Sequence, residues 1–111
     1  MLLLLFCSLL FPPLNSTVPP CNNKISLVQA SMQSKTGFIE ISVNSSGNFI
    51  CTLNVEKGSG LQKLTEKKGS GNSVVKFKNL SIESIYLIQV EFLDENAPRC
   101  RKLQLSQIII E

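Results

Sequence analysis

The sequence has no histidine and no tryptophan, and it carries a single tyrosine, Tyr86. Without histidine, Ser-His-Asp and Cys-His catalysis and His-ligated metal centres are excluded from this chain. Acidic residues are few and scattered, with only Asp94 and Glu95 adjacent, so no carboxylate pair is set out for acid–base work. Gly58-Ser-Gly60 and Gly69-Ser-Gly71 lack a following helix and a Gly-Lys-Ser, and read as hairpin turns rather than phosphate cradles. No cysteine pair has zinc-ribbon or redox spacing. The expectation is a chain with no catalytic residues, no cofactor and no metal.

Long apolar runs are also missing. The longest, Leu2 to Phe11, would span about 15 Å as a helix, half of a bilayer core. It is therefore too short to cross a membrane, but it has the length of a secretory signal, stopped by Pro12-Pro13. No Lys or Arg precedes it, and the cleavage site is poorly marked. Residues 1–17 are read as the signal, with the cut falling within 16–20, and 18–111 as one domain. A secreted or extracellular location follows, on the face of the plasma membrane if this is part of a longer chain. The stop at Glu111, straight after Ile108-Ile-Ile110, fits a module cut from a longer receptor ectodomain, or a truncated product.

Three Asn-x-Ser/Thr triplets suit that compartment. Asn44 lies in a polar Asn-Ser-Ser-Gly-Asn loop and is the best acceptor; Asn79 closes a strand; Asn15 counts only if cleavage leaves it in place.

What the chain does have is short alternating segments, cut by turn clusters. Ile25 to Met32 begins with Ile25 and Leu27 on one face and then changes phase to Val28, Ala30 and Met32, which predicts a bulge. In Phe38 to Val43, residues Ile39, Ile41 and Val43 point inward. Phe49, Cys51, Leu53 and Val55 share one face of the next strand, with Thr52 and Asn54 on the other. Leu61 to Lys67 is a weaker, edge-like strand, followed by a turn at Gly69-Ser-Gly71-Asn72. Val75 and Phe77 point inward from Ser73 to Lys78, and Tyr86, Ile88, Val90 and Phe92 from Ile85 to Leu93. Cys100 to Ile110 is the last strand. Seven strands and no helical period predict an all-β antiparallel sandwich of two packed sheets.

Leu80, Ile82, Ser84, Tyr86, Ile88 and Val90 fall at steps of two, after a strand ending Val75-Lys-Phe77-Lys-Asn79. This stretch resembles the turn into the sixth strand of a fibronectin type III domain, Leu-x-Pro-x-Thr-x-Tyr-x-Val-x-Val. The Val18-Pro-Pro20 lead and Ile39-x-Ile41-x-Val43 are similar to that family's opening linker and second strand. Ile82 replaces the usual Pro, and Val43 stands where the family carries a Trp. An immunoglobulin-like domain is the rival, but it would place a Cys two residues after the Tyr, where Ile88 stands. The resemblance implies a seven-stranded sandwich in which Leu80 and Tyr86 form a tyrosine corner, and it implies adhesion or receptor ectodomain use.

The same topology bears on the cysteines. Cys7 lies in the signal, leaving Cys21, Cys51 and Cys100, an odd number. With the sixth strand between the third and the seventh, a Cys51–Cys100 bond would span about 10 Å, beyond the bridging limit of about 7 Å. Cys21–Cys100 is preferred, with Cys51 a buried free thiol; Cys21–Cys51 is the alternative.

Charge adds one further candidate. Lys63, Lys67, Lys68, Lys76 and Lys78 crowd one stretch within a net charge of +3. Their functional reading is a basic strip for a glycosaminoglycan or an acidic partner; the preferred reading is lysine protection of edge strands. Nothing favours nucleic acid, since basic and aromatic residues do not interleave. The expected function is binding to a protein partner, through the Asn44–Asn48 and Asp94–Arg99 loops at one end of the sandwich. The alternative is a small free-standing secreted ligand or inhibitor, disulfide-linked through the odd cysteine.

Overall fold

The computed structural model describes residues 20–111. The signal assigned to residues 1–17, Cys7, the Asn15 triplet, Val18 and Pro19 lie outside the described residues.

Alternating apolar residues make seven strands: β1 (Lys24–Gln33), β2 (Thr36–Asn44), β3 (Asn48–Lys57), β4 (Gly60–Ser70), β5 (Ser73–Leu80), β6 (Ile85–Phe92) and β7 (Lys102–Ile109). One sheet has the order β1-β2-β5 and the other β4-β3-β6-β7, every pair antiparallel. The fold is a two-sheet, all-β sandwich, as the alternation predicts. No helix of the described residues is long and apolar enough to cross a membrane.

The core forms where the inner faces of the two sheets meet. Ile39, Ile41 and Val43 of β2 pack with Cys51 and Leu53 of β3, and with Ile88 and Val90 of β6, all fully buried. Phe49, Phe77, Tyr86 and Phe92 fill the larger spaces. With no tryptophan available, Val43 sits fully buried and the phenylalanines supply the bulk. The expected phase change in β1 is a bulge, where the pairing with β2 skips Val28 between Leu27 and Gln29. Leu27, Val28 and Met32 remain exposed, because β1 is an edge strand.

Several local expectations are corrected. The last strand begins at Lys102, not Cys100, because Pro98–Arg101 forms a single helical turn, α1. Pro98 has no N–H to offer a sheet and suits the first position of such a turn, while Cys100 N donates to Ala97 O at 2.9 Å. The fourth strand runs well past Lys67 to Ser70, and Gly69 lies inside it. A Cβ on Gly69 would stand 2.4 Å from Phe49 Cζ, so the bare backbone lets the buried ring lie against the strand. The turn is carried instead by Gly71, whose φ of +69° costs glycine little. Asn54, expected to face solvent, is buried, and its Nδ2 donates to Leu87 O at 3.5 Å.

Candidate functional site

The strand directions bring four connections to one end of the sandwich, here called the upper end. They are the lead into β1, the β2–β3 loop (45–47), the β4–β5 turn (71–72) and the β6–β7 connection that contains α1. The Asn44–Asn48 and Asp94–Arg99 loops are therefore neighbours.

Hydrogen bonds tie these connections together. Asp94 Oδ2 accepts from Asn48 N at 2.8 Å, and Leu93 N donates to Asn48 O at 2.9 Å. Gly71 N donates to Gly47 O at 3.0 Å, and Ser45 N to Asn72 Oδ1 at 3.1 Å. Within the β2–β3 loop, Ser45 Oγ donates to Gly47 O and accepts from Gly47 N. A side chain on Gly47 would begin 2.2 Å from Asp94 Oδ2, so this close approach needs glycine. Glu95 Oε2 accepts from Ala97 N at 3.0 Å and shapes the approach to α1.

The lead into β1 is held covalently. Cys21 and Cys100 form a disulfide with their Cα atoms 5.6 Å apart. Just inside it, Asn23 is buried and its Nδ2 donates to Cys100 O at 3.2 Å. Cys51, the one free thiol among the described residues, is buried on β3. Burial pushes its pKa up to about 12, opposed by the smaller pull of the Lys67 charge. The disulfide-linked version of a free-standing ligand thus has no accessible thiol among the described residues.

Tyr86 Oη donates to Ser81 O at 2.7 Å at the lower end, with Leu80 buried beside it in the core. Asn44 and Asn79 are both exposed, Asn44 as the last residue of β2 and Asn79 at a bulge near the end of β5 with φ of +59°.

The five lysines do not share one surface. Lys63 and Lys68 stand opposite Asn54 and Ile50 on the outer side of β4, whereas Lys67 stands opposite Cys51 on the inner side. Lys67 reaches across to Lys76 O and lies over the Phe77 ring, 5.3 Å from its centre. Lys76 is on the outer face of the other sheet, beside Glu40 and over Phe38 at 4.3 Å, and Lys78 sits in the β2–β5 bulge. Lys63 pairs with Glu66 at 2.6 Å, and that bond holds the Glu66 carboxyl below its usual range.

The bond of Asp94 to Asn48 N, and Asn23 altogether, escape the sequence reading. An Asp straight after a strand is a signal for side-chain-to-backbone bonding, and it applies to Asp94. Asn23 had no such signal, since its partner is 77 residues away.

No family model, no curated protein and no solved structure matches this chain.

Proposed function

We propose that this chain is a secreted or cell-surface glycoprotein module, fibronectin type III-like in kind, that binds another protein through its upper end and performs no catalysis. The carrying observation is the upper end itself, where separate connections are hydrogen-bonded into one surface and clamped by Cys21–Cys100. A surface ordered before binding loses less conformational entropy on association. The three-plus-four strand order and the Tyr86–Ser81 bond support the fibronectin type III-like reading. The disulfide suits an oxidising compartment, and the exposure of Asn44 and Asn79 suits glycan attachment.

The test has two arms. Expressed in a secretory cell, the chain should appear in the medium, and Asn44→Gln and Asn79→Gln should each remove one glycan's worth of gel mobility. A multivalent form should then stain cells that carry the partner. Asn48→Arg and Asn96→Arg, both at exposed upper-end positions, should abolish that staining. A Lys63→Glu, Lys68→Glu variant should not. Staining that survives both arginine changes and fails with the lysine changes overturns the assignment.

A further inference from the structure

Asn23 is left incomplete by its own fold. It is 6% exposed, its Nδ2 is engaged by Cys100 O, and its Oδ1 has no hydrogen-bond partner. A buried amide oxygen left alone is costly, and such groups in folded proteins normally meet a donor or a cation. The Cys100 carbonyl also fixes the orientation of the amide, because exchanging its O and N would set two oxygens against each other. Oδ1 is thus the one amide atom without a partner in a residue that lines a cavity together with Ser46, Gly47, Asp94 and Glu95. That cavity, of about 20 Å³, has room for one water or one monatomic ion.

Its chemistry favours the ion. Asp94 uses Oδ2 on Asn48 N and Glu95 uses Oε2 on Ala97 N, which leaves one further oxygen on each carboxylate. Neither is in a salt bridge among the described residues. The nearby N–H groups of Gly47, Asn48 and Ala97 are already committed to side-chain oxygens. The carboxylates thus leave acceptors over while these backbone donors are engaged, which favours a cation over an anion. The set is all oxygen, which selects a hard cation, and loop-borne carboxylates of adaptable geometry suit calcium better than the strict octahedron of magnesium.

We propose that the upper end binds one calcium ion through Asn23 Oδ1, Asp94 and Glu95, with backbone oxygens and water completing the shell. Two carboxylates make a weak site, in the range of about 10⁻⁴ to 10⁻³ M found for extracellular calcium modules. It needs neither His nor Cys, so the residue accounting that excluded transition-metal centres does not reach it. The ion would join the lead into β1 to the β6–β7 connection on the far side of the disulfide. The proposal concerns the same end as the protein-binding reading but needs no partner, so the two fail separately.

The test is thermal unfolding of the full chain in calcium-free buffer, then with calcium, magnesium or sodium chloride at equal ionic strength. Calcium at about ten times its dissociation constant should raise the midpoint by roughly 7 °C, magnesium by less and sodium not at all. The Asp94→Asn, Glu95→Gln variant should lose the calcium-induced rise. Because Asp94 also caps Asn48 N, a second readout guards against mistaking a folding defect for lost binding. In the unmodified chain, the Asn23 side-chain amide signals should move on calcium titration in a nitrogen-15 NMR spectrum. No midpoint rise and no Asn23 movement at about 10 mM calcium, ten times the weak end of that range, would mean an ordered water only and overturn the proposal. A rise equal in sodium, or kept in the double variant, overturns it as well.

Discussion

Tyr86 has its ring buried in the core and its hydroxyl spent on a single backbone carbonyl, that of Ser81. Tyr86→Phe keeps the ring and deletes the bond, so it should cost about 1 kcal/mol in urea unfolding with an unchanged denaturant slope. A larger cost or a changed slope would mean that the hydroxyl organises more than the Ser81 turn. Cys51 shows the opposite economy, a polarisable side chain kept neutral by burial. Its folded pKa of about 12 lies above the ordinary 9.0, so the folded state holds the thiol proton where the unfolded state has lost it. The stability this represents is fully present below about pH 9 and is lost as pH rises from there toward 12. Correspondingly, an aromatic disulfide reagent at pH 8 should leave Cys51 unmodified in the folded chain and react with it fully in denaturant. Fast labelling of the native protein would contradict its burial.

Among the elements, β4 departs furthest from a half-buried strand, being exposed along nearly all of its length. Lys67 turns its charge toward the gap between the sheets, a device that spoils the edge as a template for another strand. Gly69 lets Phe49 lie against the same strand. Gly69→Val would push a side chain into a ring that is only 1% exposed, and should destabilise the domain by about 1–3 kcal/mol. An unchanged midpoint in thermal unfolding would show that Phe49 has somewhere else to go. This strand also marks how far the sequence could be read. Alternation placed β2, β3 and β6 because each buries every second residue between two sheets, and Tyr86 stood out by its spacing from Leu80. In β4 the inner positions are Thr65, Lys67 and Gly69, so burial leaves no pattern and the strand ended too early. Sequence proximity gathers the five lysines, whereas the β4–β5 turn deals them to two sheets. Asn23 and Asn54 were illegible for a third reason: each is buried by a partner distant in sequence.

Across the whole molecule, Cys21–Cys100 joins residues separated by 79 positions and closes a loop that contains all of β1 to β6. By the chain-entropy estimate this closure contributes about 4 kcal/mol. The Cys21→Ser, Cys100→Ser variant should lose stability of that order in denaturant unfolding, while alkylation of the free Cys51 should be impossible without unfolding. A double variant as stable as the parent would show that the upper end is held by its hydrogen bonds. The opposite end is closed without covalent help: Glu111 N donates to Ala30 O and Met32 N to Glu111 O, both at 3.2 Å, the pattern of a parallel bridge onto β1.

Those two closures stand at opposite ends of the sandwich, and together they define how it responds to tension. A pull applied between residues 20 and 111 travels through the Cys21–Cys100 bond, so the segment 22–99 cannot be drawn out. Only the tail from Arg101 to Glu111 can pay out, by stripping the Glu111 bridge and then β7 from β6; its contour is about 38 Å, and because β7 is already extended most of that length is spanned in the fold, so the gain is only a small part of it. A force-extension trace should show that one short step in the oxidised chain and a several-fold longer one after reduction. The disulfide makes the domain a nearly inextensible link, with a short release at one side.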